Sequence, residues 1–292
     1  MPGCREKGYL ISDETPYIEL SDDHAGFVVD SDALFDDALA AIENFSSFSG
    51  RINSSIRNVC EGTAVLSNTT TEKKITINYD GTNCTNTKRK LGVVELSIPI
   101  NQKWKDVGSI LTINIKNLIV TRLSDNKKTI FNGVFTIKNV TGGLLKNNAS
   151  FGSIIHDINS IGGITVEFSN STKRLWYVSK RRTFSYDNAI VISSIGTHTD
   201  GDISGISEWG FSRNGRFFVS SIINPMIVRS DCDYRIVSGE ISHERLNGKL
   251  NVDFGLDVTG NPTTCPGPSK YYYLKSLYTT PGFIVKTFIM PY

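Results

Sequence analysis

From about residue 56 to the carboxyl end, apolar and polar residues alternate with a period of two. Ile75, Ile77 and Tyr79 alternate with Thr76 and Asn78, and Leu111, Ile113 and Ile115 with Thr112, Asn114 and Lys116. Ile164, Val166 and Phe168 flank Thr165 and Glu167; Leu250, Val252 and Phe254 flank Asn251 and Asp253. Successive side chains of a strand point to opposite faces, so each run has one buried and one wet face, as antiparallel sheets usually have. The segments "NYDGTN", "SDNKK", "TGG", "RNGR", "LNGK" and "TTPG" supply turns between them. This pattern argues against a Rossmann or barrel enzyme. The expected fold is mainly β, an antiparallel meander or sandwich built from two related parts, with one N-terminal α-helix.

That helix is predicted over residues 31–50, where "SDALFDDALAAIENF" places Leu34, Phe35, Ala38, Leu39 and Ile42 on one face. Ser31 can cap it, and Asp32, Asp36 and Asp37 sit towards the end where the helix dipole favours them. Residues 1–30 are acidic without a sustained period and read as a tether or irregular lead-in. Residues 51–165 form a first β part and 166–292 a second, in one continuous β domain.

The 292 residues are 39% hydrophobic and 10% aromatic, enough for a sizeable core. With 31 basic and 29 acidic residues there is no global field to attract nucleic acid. The basic stretch "SKRRTF" (179–184) divides its charges between faces, which fits a solvated or edge strand protected by charge. No run approaches the roughly 20 apolar residues that span a bilayer, and no basic and then apolar leader is present.

The cysteines nevertheless look extracytoplasmic. Cys4 stands alone, Cys60 and Cys84 are 24 residues apart, and Cys232 and Cys265 are 33 apart, with no CxxC pair to suggest zinc. Two local disulfides and one odd cysteine are the expected arrangement, against free buried thiols. Segments 60–84 and 232–265 share a plan: a cysteine, two strands with a turn between them, a polar loop and a second cysteine. Tyr79 then corresponds to Phe254 and Gly81 to Gly255. In each unit a bridge could close the hairpin and its loop, Cys60 to Cys84 and Cys232 to Cys265, although four cysteines allow three connectivities. Seven N-x-S/T sequons, in a chain this rich in Asn, Ser and Thr, arise easily by chance.

The segments "ITINYDGTNC", "GSILTINIKNLIV", "NGVFTIKNV", "GGITVEFSNSTKRLW", "SRNGRFF", "DCDYRIVSGEI" and "KLNVDFG" carry a resemblance. Together with the acidic amino-terminal segment and helix, they make the chain resemble a family of uncharacterised Bacteroidota lipoproteins and secreted β proteins, over most of residues 30–265. The resemblance implies export, an outer-membrane, cell-surface or periplasmic location, and disulfides in both repeats; it assigns no catalytic residue. Cys4 is the lipidation candidate: Gly3 fits the position before a lipid-modified cysteine, whereas Met1 and Pro2 fit the preceding positions poorly. The other reading of Cys4 is an ordinary exposed cysteine.

Chemistry-bearing patterns are sparse. His24, His156, His198 and His243 lack metalloprotease spacing, and no G-x-S-x-G elbow, phosphate loop or dinucleotide fingerprint occurs. His198, Asp200 and Asp202 in "GTHTDGDISG" are a weak metal candidate, explained equally well by a hairpin turn. Trp176, Glu208 and Trp209 are weak ligand-binding candidates, since sugar sites use exposed rings beside carboxylates; packing into the core is the bland reading. The expectation is a non-enzymatic, exported envelope protein with a binding or structural role and no cofactor. Its partner would be an envelope protein or a glycan, with membrane contact only through a lipid anchor. The alternative is a polysaccharide-acting hydrolase or a carbohydrate-binding module.

Overall fold

The computed structural model describes residues 15–49, 61–83, 86–232, 234–245, 248–265, 272–279 and 284–291. A 30-residue helix, α1 (Thr15–Asn44), comes first. It is followed by β1 (Gly62–Asn68), β2 (Glu72–Tyr79), β3 (Lys88–Pro99), β4 (Ser109–Arg122) and β5 (Lys128–Asn139). Then come β6 (Ser153–Phe168), β7 (Lys173–Tyr186), β8 (Ile190–Gly196), β9 (His198–Asp200) and β10 (Ile203–Phe211). The chain closes with β11 (Phe217–Arg229), β12 (Arg235–Arg245), β13 (Gly248–Leu256), β14 (Tyr272–Thr279) and β15 (Ile284–Pro291).

All fifteen strands belong to one antiparallel sheet in which nearly every strand pairs with its neighbours in sequence. The fold is therefore a meander, and the described residues form no second, facing sheet. One departure occurs after β7, where β8 and β10 lie end to end in a single slot. β7 pairs with β10 through Leu175–Val178 and with β8 through Lys180–Tyr186; β11 pairs with the same two strands on the far side. β6 runs across the 165/166 boundary, so the two β parts are continuous.

The sheet curls around α1. Asp30 and Asp32 project from nearly opposite sides of a helix with 3.6 residues per turn. Asp30 reaches Lys88 on β3, while Asp32 reaches Lys180 and Arg182 on β7. Those strands would be about 19 Å apart in a flat sheet, and curvature shortens the span that both must bridge to reach one helix. A row of bulges supplies it. Pairing registers shift beside Gly92 on β3, Asn117 on β4, Gly133 on β5, Gly162 and Gly163 on β6, and Ser207 on β10. Bulges in adjacent strands at one level bend each strand in the same sense and increase its twist. Gly210, at φ +145°, lies so close to β7 that a Cβ would overlap the Leu175 carbonyl oxygen.

The main core joins Leu20, Phe27, Leu34, Phe35, Leu39 and Ile42 of the helix to inward side chains of β2–β7. Tyr17, at the helix start, packs instead with Ile241, Leu250, Val252 and Leu277 of β12–β14. The helix thus runs from the late strands to the early ones and ties both to one another.

Two expectations change. The helix begins at Thr15, not Ser31, so residues 15–30 are its first half. Its buried stripe there includes Ser21, Asp23 and His24, and polar residues at stripe positions hide the helical period. Ser31 caps nothing; its hydroxyl donates to the Val28 carbonyl at 3.1 Å in mid-helix. Nor is residue stretch 179–184 an edge. It lies in β7, with neighbours on both sides, and its Lys180 and Arg182 point inward to carboxylates.

Candidate functional site

The acidic residues of α1 face basic residues on the concave side of the sheet. Asp23 accepts from Arg174 Nη1 at 2.7 Å and Arg213 Nε at 2.8 Å. Burial pulls the Arg174 guanidinium down to about 10 against the opposing pull of Asp23, and the guanidinium lies 4.1 Å from the Trp176 ring centre. Further along, Asp37 accepts from Tyr79 Oη at 2.9 Å and Lys90 Nζ at 2.7 Å. Asp22 and Lys275 meet at 2.9 Å, joining residues 253 apart in the chain.

A buried polar cluster lies near the middle of the seam. His24 Nε2 is 3.0 Å from Glu208 Oε2, and the Ser207 hydroxyl donates to the same oxygen. Lys180 Nζ is 3.6 Å from the other carboxylate oxygen. Burial on its own would raise the Glu208 carboxyl; the charge and hydrogen bond of His24, then Lys180 and Ser207, outweigh it and bring it down to about 2. The His24 ring stands edge-on to His243, 4.8 Å between centres, and His243 Nδ1 is 2.8 Å from Ser220 Oγ. Burial first, and His24 second, push His243 well below the usual imidazole range.

Serine, two imidazoles and a carboxylate in one chain of contacts superficially match nucleophilic catalysis. The wiring differs: Glu208 orients His24, and it is His243 that meets the serine. Ser220 is fully buried and His243 is 1% exposed, so no acyl group approaches while the helix is seated. The cluster acts chemically as a lock between helix and sheet.

Beside the helix, a cleft of about 600 Å³ opens between the Asp22–Asp30 stretch and the ends of β3–β6. Phe27, Val120, Phe131, Val166 and Phe168 form its apolar floor, and Arg213 lays its guanidinium 3.6 Å from the centre of the Phe168 ring. Among the described residues no histidine or cysteine lines it.

The residues singled out from sequence are scattered. Trp176 is fully buried, stacked at 4.2 Å on Phe27, and Glu208 is in the lock; Trp209 lies on the opposite face of the sheet. There Trp209 is stacked between Tyr177, at 5.6 Å, and His198, at 4.0 Å. Trp209 of β10 thus has both of its ring faces covered, by Tyr177 of β7 and His198 of β9. A sugar platform needs a face turned to solvent.

His198 is thus part of that stack, Asp200 is exposed at the end of β9, and Asp202 is exposed in the turn that follows. Among the described residues the one group of potential ligand atoms within 4.8 Å is Asp231, Cys232 and Cys265. Its two cysteines form a disulfide, Cα atoms 5.0 Å apart, and Asp231 is held by Arg229. Cys4, Cys60 and Cys84 lie outside the described residues. Sequence reasoning missed Asp23, Arg174, Lys180 and Arg182; a usable signal was the run of acids in 19–37 set against alternate basic residues in 174–182. No protein-family model matches this chain, and comparison with curated proteins and with solved structures finds no match.

Proposed function

We propose that the protein is a non-enzymatic binding protein of the cell envelope, exported as the Bacteroidota family it resembles implies. The observation that carries this reading is the division of labour inside the curl. The cluster that most resembles acid, base or nucleophile machinery, Ser220, His243, His24 and Glu208, is sealed in the lock. The open cleft has an apolar floor, and each carboxylate that lines it, Asp22, Asp23 and Asp30, already holds a cation. Such a surface recognises and does not turn over.

The Cys232–Cys265 bridge supports an oxidising compartment. A lipid on Cys4 would be the link to a membrane, read from the mass of the amino-terminal peptide. Native protein from the envelope fraction is expected to carry the bridge and to hydrolyse none of a panel of p-nitrophenyl esters and glycosides. Turnover that vanishes in Ser220→Ala or Glu208→Gln, or recovery of Cys232 and Cys265 reduced, sinks the reading.

A further inference from the structure

We infer that the cleft beside α1 binds an amphiphile with a single apolar chain and an anionic head, of the long-chain carboxylate class. The inference rests on the binding role proposed above and names its ligand. The volume of about 600 Å³ falls within the range of small-molecule sites, roughly 300–1,000 Å³. Phe27, Val120, Phe131 and Val166 line its base, and the half-buried Phe168 presents the more accessible apolar surface beside them for a chain.

The two walls differ in charge balance. On the helix side, every carboxylate is matched: Asp22 by Lys275, Asp23 by Arg174 and Arg213, Asp30 by Lys88. Across the cleft, at the turn between β4 and β5, three cations stand beside one carboxylate, which two of them share. Arg122 takes Asp125 through two bonds of 2.8 and 2.6 Å, and Lys127 approaches it at 3.5 Å. Lys128 has no carboxylate partner among the described residues. That corner keeps a surplus of positive charge at the mouth of an apolar bed, the arrangement that seats an anionic head and buries its tail.

The helix leaves room on purpose of composition: its one glycine, Gly26, lines the cleft. A Cβ built there meets nothing within 4 Å, so packing against protein does not demand glycine. An ordinary residue at this point would project into the space a ligand chain occupies.

The test is titration of tetradecanoate into the full-length protein, followed by calorimetry below the micelle range, with tetradecanol and inorganic phosphate as probes of tail and head alone. Saturable one-to-one binding of tetradecanoate, weaker binding of tetradecanol and none of phosphate are expected. Gly26→Trp should abolish binding, and Lys127→Glu with Lys128→Glu should weaken it at least about tenfold, a difference calorimetry resolves. The lysines are exposed and outside the core, so this second variant reports on the site even if Gly26→Trp does not fold. Absence of saturable binding, equal affinity for tetradecanol, or affinity unchanged in the lysine variant overturns the inference. An inert protein that fails to bind tetradecanoate defeats only the ligand class, whereas catalytic turnover defeats the binding role itself.

Discussion

Glu208 is 2% exposed, yet it remains ionised because His24, Lys180 and Ser207 surround it. A buried ion pair contributes little beyond an apolar isostere, but removing one partner leaves the other uncompensated and costs about 3–5 kcal/mol. Glu208→Gln is therefore expected to lower the urea unfolding free energy by about that much at pH 7; a loss below about 1 kcal/mol, the scale of an exposed pair, would mean the cluster does not lock the helix. The pH dependence has a definite sign. In the folded state the carboxyl titrates at about 2, below its ordinary 4.5, so its contribution is full above pH 4.5 and is lost as pH falls towards 2. Wild type should lose on the order of 3 kcal/mol across that window through this group. The Gln variant should lack that component, as urea titrations at pH 5 and pH 3 would reveal.

At the scale of elements, α1 has an unusual position for a helix of a β protein, since its acids and its apolar stripe both face the sheet. Its amphipathic period is clear only after Ser31, where Leu34, Phe35, Ala38 and Ile42 meet inward residues of the early strands. In the first half, Asp23 and His24 occupy buried positions because Arg174, Arg213 and Glu208 await them. Gly26 is the weak point of this helix. An exposed mid-helix glycine costs about 1 kcal/mol relative to alanine, and no neighbour opposes a methyl group there. Gly26→Ala should raise the unfolding free energy by about 1 kcal/mol, measured by urea denaturation. No gain would mean that the residue's backbone, and not its small size, matters at the cleft.

For the molecule as a whole, the curl makes helix and sheet one cooperative unit. Tyr17 packs against β12–β14, while Asp37 is bonded to β2 and β3, so α1 cannot leave without breaking contacts at both ends of the meander. Amides of Leu34–Ile42 should exchange with solvent only through global unfolding, as slowly as those of β4–β6. Exchange from α1 faster by about 100-fold than from the strands would identify a helix that opens on its own. That outcome would also give the buried Ser220 and His243 a route to solvent.

Alternation along β2, β4, β6 and β13 was legible in the chain because strand geometry relates each residue to its near neighbours: every second side chain shares a face. The Cys232–Cys265 bridge was legible for a similar reason, since it closes a hairpin and the loop after it. The first half of α1, the interior place of Lys180 and Arg182 and the cleft were not. Asp23 with Arg174 and His24 with Glu208 lie 151 and 184 residues apart, so their charges cancel only after the sheet has curled. Read along the chain, each is a polar residue that belongs in water. The composition and local periods of this sequence were enough to specify antiparallel strands with a helix ahead of them, and left meander and sandwich both open. Which charges are buried, which ring faces are spent and where a cavity stays open depended on bringing distant strands around that helix, because burial and pairing are properties of the packed neighbourhood and not of the residue.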